Sequence, residues 1–214
     1  MPATEDTNGI SSVDDLRSRY HAPTPAVLHK ERPVIDPAAA ELIAIAPLIV
    51  IASTSSKGAD ASPRGGPPGF VVTLDEHTIA FGDLSGNNRL DSYANIVDNP
   101  AVGLLFLVPG LEETLRVNGR ARITTDPDVL ARTTVDGRRP KLAVVVDVDE
   151  CYVHCGKAIR RSGLWEPSTW PASDARPTAG EVIVGQYSLD LDPALIDADL
   201  DAGYEATLWE NGGE

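Results

Sequence analysis

The sequence predicts a mostly β protein with peripheral helices, its strands curled into a closed or partly closed antiparallel barrel. Three observations carry this. Six or seven short apolar or alternating runs are parted by Gly, Pro, Asn and Asp turns, and the helices between them are few and short. No strand–helix alternation of a doubly wound sheet is visible, nor any G-x-G-x-x-G or G-x-x-x-x-G-K-[ST] loop, which closes the usual nucleotide-binding routes.

The elements follow in order. Met1 to Ile10 is small and polar and reads as an unstructured start. Ser12 before Val13-Asp14-Asp15-Leu16 is an N-cap with an acidic first turn, predicting a helix to about Tyr20. A Pro-punctuated connector spans Ala22 to Pro33. Asp36-Pro37 sets a cap and a proline at the first helical position, so Ala38 to Ala46 reads as a helix that Pro47 ends.

Leu48 to Thr54 is β-branched and reads as a buried strand, with a turn at Lys57 to Asp60. Ser62 to Gly69, seven of whose eight residues are Gly, Pro or Ser, reads as an irregular loop. Phe70 to Leu74 and Thr78 to Gly82 are strands flanking the turn Asp75-Glu76-His77. Leu90, Tyr93, Ala94 and Val97 recur at helical spacing until Asn99-Pro100 stops them. Ala101 to Val108 is apolar on both faces and is expected at the centre of the sheet.

Leu115, Val117, Ala121 and Ile123 then alternate with Thr114, Arg116, Asn118, Arg120 and Arg122, a strand with one basic face. Asp126-Pro127 starts a short helix, and Leu142 to Val148 is the next strand. From Gly156 a loop and short helix carry Lys157, Arg160 and Arg161, and a further helix is expected after Asp192-Pro193. The organisation expected is an N-terminal extension with two short helices at 1–47, the barrel at 48–171 and an acidic extension at 172–214.

A net charge of −14 over 214 residues argues against nucleic acid or an anionic membrane as partner. A phosphate-bearing ligand then needs a local cluster of bases. Cys151 and Cys155 are the two cysteines, too few for a disulfide framework, and no secretory signal is visible or expected. The longest apolar run, Leu42 to Ala52, contains Pro47 and is too short to span a bilayer. A cytoplasmic protein is expected.

With 18 Lys and Arg in all, the placement of bases is informative. Arg64 sits in the Gly/Pro segment, where a backbone without Cβ atoms can approach a ligand closely. Arg89 stands at the first turn of the predicted Leu90–Val97 helix, an arrangement suited to phosphate, with Ser92 three residues on. Each also has a plainer reading. Arg64 taken alone is a solvated loop residue, and Lys157, Arg160 and Arg161 can simply solvate a helix. Cys151, His154 and Cys155 suggest a metal site, but along a strand His154 points away from the two cysteines, and no metal is assigned. Neither a Ser-His-Asp set nor a carboxylate pair stands out, so no catalytic residue is named.

At these same residues the chain resembles the pyridoxamine 5'-phosphate oxidase-related family. Asp60 to Val71 is similar to its Arg-containing strand and loop. Gly86 to Ser92, with Asn95-Ile96 and Asn99-Pro100, is similar to its phosphate-binding turn and helix. Glu113 to Ala121 resembles its next paired strand, and His154 to Ala158 with Arg161-Ser162 and Leu164-Trp165 resembles the closing segment of a bacterial subgroup of FMN-dependent proteins.

The resemblance implies a six-stranded antiparallel split barrel that forms a homodimer with FMN at the interface. By that resemblance Arg64 and Arg89 hold the phosphate, with Asn88 in the turn and Ser92 in support. Pro63, Arg64 and Gly65, with Phe81, Gly82 and Asp83, flank the rest of the flavin. Thr114 and Arg116 come from the partner subunit, and Lys157 and Arg161 from the closing segment. Where this chain has Asn87-Asn88-Arg89 the characterised oxidase has Ser-Arg-Lys, so pyridoxamine phosphate oxidation is not implied.

The function expected is therefore an FMN-dependent oxidoreductase of a small molecule. The alternatives are a flavin-binding carrier, sensor or partner protein without turnover, or the same fold with a deazaflavin or haem.

Overall fold

Ser12 accepts from the Asp15 amide at 3.1 Å and starts α1 (Val13–Ser18), as its acidic first turn predicts. A single turn, α2 (Pro25–Leu28), interrupts the expected connector, with Pro25 at the first helical position. The computed structural model describes residues 9–209, so most of the expected unstructured start lies outside the described residues. The chain divides into two units, Met1–Glu31 and Arg32–Glu214; α1 and α2 belong to the first and everything below to the second.

The second unit opens with α3 (Pro37–Ile45), whose cap Asp36 accepts from the Ala39 amide at 2.9 Å. The strands are β1 (Leu48–Ser55), β2 (Gly58–Gly65), β3 (Val71–Asp75) and β4 (Thr78–Gly82), then α4 (Asp91–Asp98), β5 (Ala101–Leu107) and β6 (Thr114–Thr124). α5 (Pro127–Arg132), β7 (Ala143–His154) and α6 (Lys157–Ser162) follow, and α7 (Ala179–Tyr187) and α8 (Pro193–Thr207) complete the described residues.

All seven strands join one open antiparallel sheet in the order β2-β1-β5-β6-β7-β4-β3. The residues suggest six or seven strands, and the family resemblance six. The added strand is β2, which runs through the segment read as turn and loop. Pro63 is tolerated there because β2 is an edge strand, where a missing N–H costs no ladder bond. β5 lies inside the sheet, as its apolar character predicts. β7 continues six residues beyond the expected Val148, with a bulge opposite Asn118/Gly119. A Cβ on Gly119 would run into the Asp147 carbonyl, so only glycine fits that crossing.

Alternation places Ile49 and Ile51 of β1, Leu104 and Phe106 of β5, Leu115 and Val117 of β6, and Val144 and Val146 of β7 in one buried cluster. Ile43 of α3 and Tyr93 and Ile96 of α4 join it. The two edges are blocked in different ways: β2 by Pro63, which lacks an N–H, and β3 by Arg132, which donates to the Thr73 and Leu74 carbonyls at 2.8 and 3.3 Å. Outside the barrel, α7 and α8 pack on each other, with the Gly180 amide donating to Asp197 at 2.7 Å. α7 was not foreseen, although Thr178 and Glu181 form a capping box that the sequence displays. No helix among the described residues is long and apolar enough to cross a membrane.

Candidate functional site

The register of β2 on β1 decides which side chains can meet. Arg64 pairs with Ile49, Ser62 with Ile51 and Asp60 with Ser53, so Asp60, Ser62 and Arg64 lie on the inner face and Pro63 and Gly65 on the outer one. Opposite them α4 packs on β1 and β2 and, with the turn before it, closes a cleft of about 360 Å³. Its lining includes Pro63, Arg64, Gly65, Asp83, Asn88, Arg89 and Ser92, all anticipated from the sequence. It also includes Asp60, Ser62, Asp91 and Tyr93, which were not. The signal for Asp60 and Ser62 was present: they precede Arg64 by four and two residues, the spacing of one strand face.

The details depart from expectation at α4. The helix begins at Asp91 rather than Leu90, so Arg89 precedes it and is not on a helical face with Ser92. Asn88 and Leu90 hold φ of 56° and 59°, left-handed values that are rare for leucine. The buried face is Ser92, Tyr93 and Ile96, while Val97 is exposed. Polar anchors set this rotation: Ser92 donates to Asp60 at 3.1 Å, and Asn95 donates to Ser53 at 3.1 Å.

Arg64 is partly buried. Its Nη1 donates to Ser62 Oγ at 2.7 Å and to the Pro63 carbonyl at 2.8 Å, and its Cζ stands 5.6 Å from the Tyr93 ring centroid. Arg89 is exposed, with Nε donating to Asp91 at 2.7 Å; that bond raises its already high pKa. The Tyr93 hydroxyl donates to Asp83 at 2.6 Å, and burial, followed by that bond, pushes the phenol well up.

The remaining anticipated residues lie elsewhere. Phe81 is in the core, and Gly82 is packed under Pro140 and the Thr133 carbonyl, so of that trio Asp83 reaches the cleft. Thr114 and Arg116 stand on the opposite face of the sheet, where Arg116 donates to Tyr152 at 2.8 Å. Lys157 and Arg161 are exposed on α6, which lies beyond the end of β7; their neighbour Arg160 pairs with Glu112 at 2.6 Å. None of these four lines the cleft. Trp165 donates to the Leu111 carbonyl at 2.8 Å, which anchors the segment after α6. Cys151 is buried and Cys155 exposed.

An open antiparallel barrel sheet, with an inner-face arginine and a pre-helical arginine sharing one cleft, defines a split-barrel protein. The chain belongs to the pyridoxamine 5'-phosphate oxidase family, whose sequence model matches residues 35–155. No curated protein matches its sequence. Solved structures similar to it include HupZ of Group A Streptococcus, 20% identical with a TM-score of 0.44, covering 56% of this chain and 93% of that one. An FMN-binding protein from Syntrophomonas wolfei is 12% identical with a TM-score of 0.40, covering 54% and 87%. The FAD binding protein from Mycobacterium smegmatis is 18% identical with a TM-score of 0.40, covering 56% and 95%.

Proposed function

We propose that the chain binds FMN in this cleft, as a homodimer, and acts as a flavin-dependent oxidoreductase on a small molecule. The observation that carries the reading is the pairing of Arg64 and Arg89 across one cleft in a protein of net charge −14. A molecule so acidic gathers two guanidiniums at one place to hold an anion.

The donor set suits a phosphate ester. Three carboxylates also line the cleft, but each is already engaged: Asp60 by Ser92, Asp83 by Tyr93 and Asp91 by Arg89. Arg64 and Arg89 would hold the phosphate, with Ser92, kept on Asp60, supporting the wall of the cleft between them. Leu84 and Leu90 give the cleft an apolar wall for the rest of the ligand. A bound flavin supplies two-electron chemistry at its ring; the protein's share is to orient it and exclude water.

A dimer supplies what the single chain cannot. Thr114 and Arg116 are separated from the cleft of their own chain by the thickness of the sheet, so they reach a flavin only in a second copy. The outer face offers a surface for this. Val50, Leu105, Arg116 and Tyr152 stand side by side across four strands, flanked by Leu48 and Leu107. Such a half-apolar sheet face is what a symmetric pair covers.

The test is the full chain as purified, followed by denaturing release and mass identification of any chromophore. A flavin spectrum and the mass of FMN, one per chain, are expected. A colourless protein that gains no flavin spectrum with added FMN overturns the reading, as does a deazaflavin mass or a Soret band. Turnover with NADH or NADPH separates an oxidoreductase from a flavin carrier.

A further inference from the structure

Two guanidiniums line the cleft, and the chain holds them differently. Arg89 is 73% exposed on its side chain and is tied through Nε to Asp91. Arg64 is fixed before any ligand arrives. Its Nη1 has two hydrogens, and both are spent, on Ser62 Oγ and the Pro63 carbonyl. Among the described residues no carboxylate pairs with its Nε–Nη2 edge, the edge that grips an oxyanion with two parallel bonds.

Fixing one corner leaves the guanidinium plane free to rock about it. Tyr93 removes that freedom. Its ring stands against the guanidinium at 5.6 Å, within range of an attractive cation–π contact, and the ring itself cannot swing. It is 8% exposed, and its hydroxyl donates to Asp83 at 2.6 Å. Asp83 is anchored in turn, since its amide donates to the Leu142 carbonyl at 2.9 Å where β4 ends. The chain of support runs from the sheet through Asp83 and Tyr93 to Arg64.

We propose that Tyr93, braced by Asp83, is a positioning residue that aims the Nε–Nη2 edge of Arg64 at the anionic group of the ligand. The ligand's identity as a flavin phosphate rests on the reading above; the positioning itself does not. A guanidinium already aimed loses less freedom when it binds, which strengthens anion binding without adding a contact. Tyr93 therefore governs affinity for the anionic part of the ligand and leaves the remainder alone.

Two measurements on the full chain test this. The first is the Arg64 Nε–H signal in nitrogen–proton NMR, identified by its loss in Arg64→Lys, and followed in wild type, Tyr93→Phe and Tyr93→Leu with inorganic phosphate as probe. A sharp wild-type signal that phosphate shifts, broadened in Tyr93→Leu and intermediate in Tyr93→Phe, is expected. A wild-type signal already averaged by exchange, or one unchanged in both variants, overturns the proposal. The second compares FMN with riboflavin, which lacks the phosphate. Tyr93→Leu is expected to weaken FMN about tenfold and riboflavin less than about twofold, with cooperative unfolding retained. Equal loss of both ligands means Tyr93 merely supports the fold, and the proposal fails. If wild type binds no FMN, the flavin reading fails instead, and the Arg64 signal alone decides the positioning role.

Discussion

Burial, with the Asp36 carboxylate nearby, pushes the Cys151 thiol up from 9.0 to about 11. The folded chain thus keeps this proton to a higher pH than the unfolded chain does. Its contribution to stability is whole below about pH 9 and is lost as pH rises through 11. Denaturant midpoints measured across that window should fall more steeply for wild type than for Cys151→Ala, which has no thiol to titrate. Parallel slopes would show that Cys151 does not set the alkaline limit. Among site residues, Arg64 and Arg89 were legible because bases are scarce in so acidic a chain. The Ser92–Asp60 and Tyr93–Asp83 bonds were not, since their partners lie 32 and 10 residues apart and meet only when α4 docks on the sheet.

The strands that alternate or are uniformly apolar, β1, β4, β5 and β6, could be read within a residue or two of their ends. β2 could not. Its composition is that of a turn, and its extended form comes from pairing along the whole of β1, a tertiary effect that overrides local preference. α4 was legible as a helix but not in its rotation, because polar anchors rather than an apolar stripe set which side faces in. The crossing of β6 over β7 gives a sharp test at this scale. Gly119→Ala puts a methyl group against the Asp147 carbonyl and should cost about 1–3 kcal/mol, read from urea unfolding. An unchanged midpoint would mean that the bulge opens freely to admit the side chain.

For the whole molecule, composition already spoke against nucleic acid, and two of its few bases, Arg64 on the inner face of β2 and Arg89 in the turn before α4, share one cleft. The outer face carries the assembly prediction. Leu105→Glu sets a carboxylate into the centre of the Val50–Leu105–Arg116 row without touching the cleft of its own chain. Sedimentation should show wild type as a dimer and the variant as a monomer, with flavin content falling alongside. A monomeric wild type that carries a full complement of flavin would refute the two-copy site.

The way the sheet ends matters for how copies can meet. A strand beside Pro63 finds no N–H there to bond, and a strand beside β3 finds the Thr73 and Leu74 carbonyls already taken by Arg132. Lateral addition of one sheet to another, the step that seeds fibrils, is therefore discouraged at both borders. The homodimer proposed above would instead meet face to face, a mode of association that closes on itself after two.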